Sequence, residues 1–165
     1  MRNLSRLARH GALAAVVAAA ALGSPAFAQD GRLTMRPGDV KWPAARAGAA
    51  GTSGASGIAT VVLKGDPTKP GMYVLQLRAA PNMTIQAHSH KDDRVATVLK
   101  GTWYFGYGDT FNEAALKALG PGSVYTEPPS VSHFARTKEE VIIQIVGFGP
   151  SSTTYVDPAN DPTKR

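Results

Sequence analysis

The chain has 165 residues, enough for one domain with a sizeable core. It has no cysteine, which excludes disulfides, thiolate metal sites and cysteine nucleophiles. The formal net charge is +6, but no basic block with interleaved aromatics accompanies it, so nucleic acid is not an expected partner.

Residues 1–28 read as a secretory signal. Arg2, Arg6 and Arg9 form a basic start with no acid, and Gly11 to Leu22 is an apolar run too short for a comfortable membrane span. Ala26-Phe27-Ala28 is a small-x-small cleavage site, which makes Gln29 the new N-terminus. The alternative is an uncleaved anchor. Cleavage removes those three arginines and no acid, so the net charge falls from +6 to +3. The mature chain is then expected in the periplasm or outside the cell, and off the membrane.

Residues 29–57 carry little pattern. Within them 44–57 (AARAGAAGTSGASG) reads as a flexible lead-in, and Trp42-Pro43 is a candidate docking point. From Ile58 the character changes. Ile58–Leu63 is a β-branched run stopped by Gly65-Asp66-Pro67 and Lys69-Pro70-Gly71. Met72–Leu77 follows, with Tyr73, Leu75 and Leu77 on one face. Met83–His90 is a third strand whose alternation places Thr84, Gln86, His88 and His90 together. Lys91-Asp92-Asp93 reads as a solvated turn. Arg94–Lys100 and Thr102–Tyr107 are then expected as consecutive antiparallel strands around Gly101.

Thr110-Phe111-Asn112-Glu113 fits a capping box, predicting one short helix over Glu113–Leu119 that ends at Gly120-Pro121. Gly122–Thr126 is a short strand, Glu127-Pro128-Pro129-Ser130 a turn, and Val131–Thr137 a strand that carries His133 inward. Val141–Val146 is a buried strand ended by Gly147-Phe148-Gly149-Pro150, and Thr153–Val156 a last short one. Residues 157–165 form a polar tail. About nine short strands with no repeat argue an all-β barrel or sandwich.

The four histidines are informative by position. His10 lies in the signal, so the mature chain has only His88, His90 and His133. His88 and His90, two apart on a strand, project from one face. With His133 brought in from elsewhere they make a three-nitrogen metal site with open positions. Gly106-Tyr107-Gly108 lacks the context of a dinucleotide loop, and the serines lack a nucleophile elbow.

These residues resemble the cupin superfamily. Its first motif is a Gly, then His-x-His, three or four residues, Glu, six residues, Gly. Here His88-Ser89-His90 is followed by three residues, Arg94, six residues and Gly101. Its second motif is Gly, five residues, Pro-x-Gly, two residues, His. Here Gly122 leads to Pro128-Pro129-Ser130 and His133, with Ser130 at the glycine position. The resemblance covers residues 58–156. It implies a jelly-roll β-barrel holding a metal through His88, His90 and His133, and the chain also looks like the small single-domain secreted cupins of bacteria. Gly65-Asp66-Pro67, Thr97-Val98-Leu99-Lys100-Gly101-Thr102 and Gly147-Phe148-Gly149-Pro150 carry that likeness.

Arg94 stands where the family usually has its Glu ligand, and a guanidinium has no lone pair for a metal. Three readings are open. Arg94 holds a substrate anion in a three-histidine site, as in cupins resembling thiol dioxygenases; or it swings out to Asp92 or Asp93; or it weakens a degenerate site. Gln86, on the histidine face, is a candidate to orient a water or substrate. Glu127 is a candidate for the missing carboxylate, although the two prolines after it favour a turn role.

The function expected is that of a secreted cupin binding Fe, Mn, Ni or Zn and acting on a small molecule as an oxygenase or isomerase. A non-enzymatic barrel that captures a ligand or metal is the alternative. A third reading is an empty-barrel interaction protein, a homodimer through its sheet edges. No individual catalytic residue is assigned.

Overall fold

The computed structural model describes residues 32–164. The signal reading of residues 1–28 lies outside them. The chain divides into two units, 1–35 and 36–165. Of the first, residues 32–35 carry no regular structure. The second contains ten strands: β1 (Ile58–Lys64), β2 (Gly71–Ala79), β3 (Thr84–His90), β4 (Arg94–Lys100), β5 (Trp103–Tyr107), β6 (Lys117–Leu119), β7 (Val124–Glu127), β8 (His133–Arg136), β9 (Val141–Gly149) and β10 (Thr153–Tyr155).

The strands form two antiparallel five-stranded sheets, ordered β1-β2-β9-β4-β7 and β10-β3-β8-β5-β6. Alternation along each strand builds the core between them. Tyr73, Leu75, Leu77 and Ala79 of β2 point inward, as do Val141, Ile143 and Ile145 of β9, against Ile85, Trp103, Phe105 and Ala135 of the facing sheet.

Three expectations are corrected. β4 and β5 are consecutive but do not pair; β4 lies between β9 and β7, while β5 lies between β8 and β6. The predicted helix is a single 3-10 turn, Glu113–Ala115, capped by Asn112 rather than Thr110. Its remainder becomes β6, with Lys117, Ala118 and Leu119 registered on Phe105, Tyr104 and Trp103. An isolated helix so short is marginal, and strand pairing covers an edge that a helix would leave bare.

The third correction concerns residues 44–57, which are packed rather than loose. Ala49, Thr52 and Ser53 are buried. The Tyr155 hydroxyl donates to the Ser53 carbonyl at 2.8 Å, and the Thr153 hydroxyl donates to the Thr52 carbonyl at 2.7 Å. Gly51 is required there. Its φ is +79°, and a Cβ would come within 2.5 Å of the Leu75 side chain. The segment lies as a strap beside β10. Trp42 docks as well, with the Arg78 guanidinium 5.1 Å from its ring centre.

Two of the motif glycine positions, 101 and 130, keep their backbone geometry by different means. Gly101 has φ +73°, and a Cβ there would collide with the Glu140 carbonyl. Ser130 adopts φ 62° without being glycine, and its N–H donates to the His90 carbonyl at 2.7 Å.

Candidate metal centre

His88 and His90 are carried by β3 and His133 by β8, the adjacent strand, where His88 and His133 are direct cross-strand partners. Each of the three offers a ring nitrogen within 4.8 Å of the other two. All three are 2–3 % exposed, so the cluster is sealed from bulk water. His88 also stacks on Tyr155 at 5.2 Å, and the ring of His133 lies 5.5 Å from that of Phe105.

The backbone fixes which nitrogen faces inward. The Nδ1 atoms lie 2.8 Å from the Gln86 carbonyl for His88, 3.0 Å from the Ser152 carbonyl for His90, and 3.1 Å from the Val131 carbonyl for His133. A carbonyl oxygen only accepts, so each Nδ1 carries the proton and each Nε2 keeps its lone pair. That is the tautomer metal-ligating histidines use, with the second nitrogen held by a main-chain acceptor. Nε2 of His133 is buried without a hydrogen-bond partner. An orphaned lone pair in a sealed cavity costs free energy unless something meets it, and a divalent ion would.

Burial, foremost, keeps His88 neutral, pushing it down to about 3, with His133 and Arg94 adding to the effect. Burial also holds His90 far below the usual imidazole range, and the Arg94 guanidinium reinforces this. Neutral imidazoles are the ligating form.

Arg94 pairs with Asp92, as the second reading expects, but does so while buried, at 1 % exposure, rather than by swinging out. Its Nε and Nη2 donate to the two oxygens of Asp92 at 3.0 and 3.1 Å. Nη1 donates to the Gly51 carbonyl at 3.2 Å and to Glu127 at 3.4 Å, and Nη2 also donates to the Ser151 hydroxyl. These contacts use all five guanidinium N–H groups, so none is left for a substrate anion in this arrangement. Asp92 is correspondingly buried rather than solvated, and accepts from the Tyr73 hydroxyl at 2.6 Å. Burial alone would raise its pKa, but the bonds from Arg94 and Tyr73 outweigh that and hold it below the usual carboxylate range.

Gln86 is displaced from the face it was expected to share. β3 pairs Ile85 with Ala135 and His88 with His133, which sets Gln86 and Ala87 against Phe134 alone, so a bulge falls between Ile85 and His88. The phase therefore slips. Ile85, His88 and His90 line the cavity, while Gln86 lines an outer groove with Thr84. What Gln86 contributes is its carbonyl, to His88.

Glu127 is the residue that sequence reasoning undervalued. It is the last residue of β7 and 6 % exposed. Its Oε2 lies 3.5 Å from His90 Nε2 and 3.8 Å from His133 Nε2. The signal was present: in β7 Tyr125 points inward, so Glu127, two residues on, does too. The same parity applies to His88, His90, Asp92 and Arg94.

The cavity is small, about 20 Å³, with room for an ion or a water. Trp103, Phe105, Tyr125, Leu77 and Ile145 wall it, and Thr52 and Ser53 of the strap lie at its edge.

No protein-family model and no curated protein matches the chain. Solved structures do. The polyketide cyclase RemF from Streptomyces resistomycificus matches with a TM-score of 0.61 at 18% identity, covering 81% of this chain and 91% of that one. Salicylate 1,2-dioxygenase from Pseudoaminobacter salicylatoxidans, as its adducts with gentisate, matches at 0.50 and 15% identity, over 61% of this chain and 29% of that one. An RmlC-like cupin from Shewanella frigidimarina matches at 0.48 and 18% identity, over 57% and 78%. The chain therefore shares its fold, two antiparallel sheets packed as a β-barrel, with RemF. Within that fold, this chain is a barrel with three buried histidines able to hold a metal ion.

Proposed function

We propose that the protein is a metal-dependent cupin acting on a small molecule, with His88, His90 and His133 holding one divalent ion of Fe, Mn, Ni or Zn. The observation that carries this reading is the fixed tautomer: three Nδ1–H groups committed to main-chain carbonyls, leaving three Nε2 lone pairs for one cavity. An iron ion with open positions would support oxygenation, and zinc would polarise a carbonyl or activate a water. The chain's own part is to orient the imidazoles and to exclude bulk water with Trp103, Phe105 and Tyr125.

A second reading, a non-enzymatic metal-holding barrel, is favoured by one observation: a cavity of about 20 Å³ takes an ion but no organic ligand without rearrangement.

Elemental analysis of protein purified without chelator tests the shared premise, with about one ion per chain expected. Metal-free protein from metal-supplemented cells overturns it.

We further propose export to the periplasm or beyond, supported by the basic start, apolar run and Ala26-Phe27-Ala28. Mass spectrometry of the mature protein is expected to find Gln29 first. An intact Met1 overturns export with cleavage.

A further inference from the structure

We propose that Glu127 is the fourth ligand of the three-histidine centre, replacing the carboxylate that position 94 lacks, and that Arg94 is its positioning residue. This rests on the metal reading above and adds to it.

The distances point to coordination. Ligand atoms about 2.0–2.1 Å from a tetrahedral ion stand about 3.3–3.4 Å apart. Glu127 Oε2 is 3.5 Å from His90 Nε2 and 3.8 Å from His133 Nε2. That is too far for a hydrogen bond and close to the edge of a coordination polyhedron. Both nitrogens are acceptors, because their Nδ1 partners carry the protons. A carboxylate oxygen facing two imidazole lone pairs inside a sealed cavity is repulsive with nothing between them. A cation placed there turns the contact favourable, and it also meets the orphaned Nε2 of His133.

The charge balance agrees. β4 and β7 are neighbours, and Arg94 registers directly on Glu127. The two side chains therefore leave one face of the sheet side by side. With Asp92, they make a buried group of one formal positive and two formal negative charges. Its net of −1 is what a lone glutamate at position 94 would bring. The carboxylate has moved across one strand, and the guanidinium holds it in place while being held itself by Asp92, Ser151 and Gly51.

Zinc alone serves as the probe, titrated into metal-free protein in competition with a chelating dye. Wild type is expected to bind one zinc, and Glu127→Gln to bind more than about a hundredfold more weakly. That exceeds the ten- to hundredfold effect of an outer-sphere partner, so a smaller loss overturns the ligand role. Because Glu127→Gln also leaves Arg94 poorly compensated, a crystal structure of zinc-loaded wild type provides an independent readout. A Glu127 oxygen within about 2.2 Å of the zinc is expected, and a longer separation overturns the inference. Folded wild type that binds no zinc overturns the three-histidine reading itself. That result is distinct from one in which wild type and Glu127→Gln bind alike.

Discussion

Arg94 and Glu127 meet across the β4–β7 pair with Nη1 3.4 Å from Oε2, and both are buried. A guanidinium stands where the motif that the sequence resembles has a carboxylate, and the residue beside it on the next strand is a carboxylate aimed at the histidines.

Arg94→Glu therefore has the opposite effect from the one the motif suggests. It matches the motif on paper but buries three carboxylates, at 92, 94 and 127, with no cation among them. Breaking a buried pair typically costs about 3–5 kcal/mol, and a loss of at least that size is expected in denaturant unfolding. The exchanged double variant, Arg94→Glu with Glu127→Arg, is expected to recover most of it. Arg94→Glu as stable as wild type would show that the guanidinium is not the counter-charge for this cluster.

Metal-free protein is expected to lose stability on mild acidification. His88 has a folded pKa of about 3 against an ordinary 6.5. Between those values the unfolded chain binds a proton that the folded chain refuses, so stability falls as pH falls. It levels off only below the folded value. One such group contributes up to about 1.4 kcal/mol per pH unit, and His90 acts in the same direction. Unfolding followed between about pH 7 and about pH 5 measures this. Saturating metal should raise the whole profile without changing its slope over that range, because the folded imidazoles are already deprotonated there. A metal-free protein whose stability ignores pH over that range would contradict the burial of neutral histidines.

Ser130→Gly is expected to stabilise the fold. Ser130 sits at φ 62°, where a side chain costs about 1–2 kcal/mol, while glycine gives back part of that through unfolded-state entropy. A net gain of about 0.5–1 kcal/mol should raise Tm by a few degrees, about 2–6 °C. The His90 carbonyl bond from residue 130 is kept, because it is made by the backbone.

Gly51→Ala is expected to loosen the strap. The new methyl meets the Leu75 side chain at 2.5 Å and φ stays at +79°, for a cost of about 1–3 kcal/mol. Limited proteolysis with trypsin should then cut faster after Arg46, which lies exposed near the start of the strap. Unchanged cleavage would show that Gly51 does not hold the segment down.

The sequence by itself determined where most strands run and which histidines matter. Period-two alternation is a local property, so Tyr73, Leu75 and Leu77 declare their common face, and His88, His90 and His133, the histidines beyond the N-terminal stretch, leave few alternatives for a metal centre. Tertiary structure alone decided the rest, because it depends on which strands become neighbours. The register of β3 on β8 inserts the bulge that takes Gln86 off the histidine face. The exposed edge of β5 draws residues 117–119 into pairing instead of a helix. The placement of β7 beside β4 sets Glu127 against Arg94, turning a nominal turn residue and a misplaced cation into one buried charge group. Burial then gives that group its chemistry, since the same side chains in water would be screened and interchangeable.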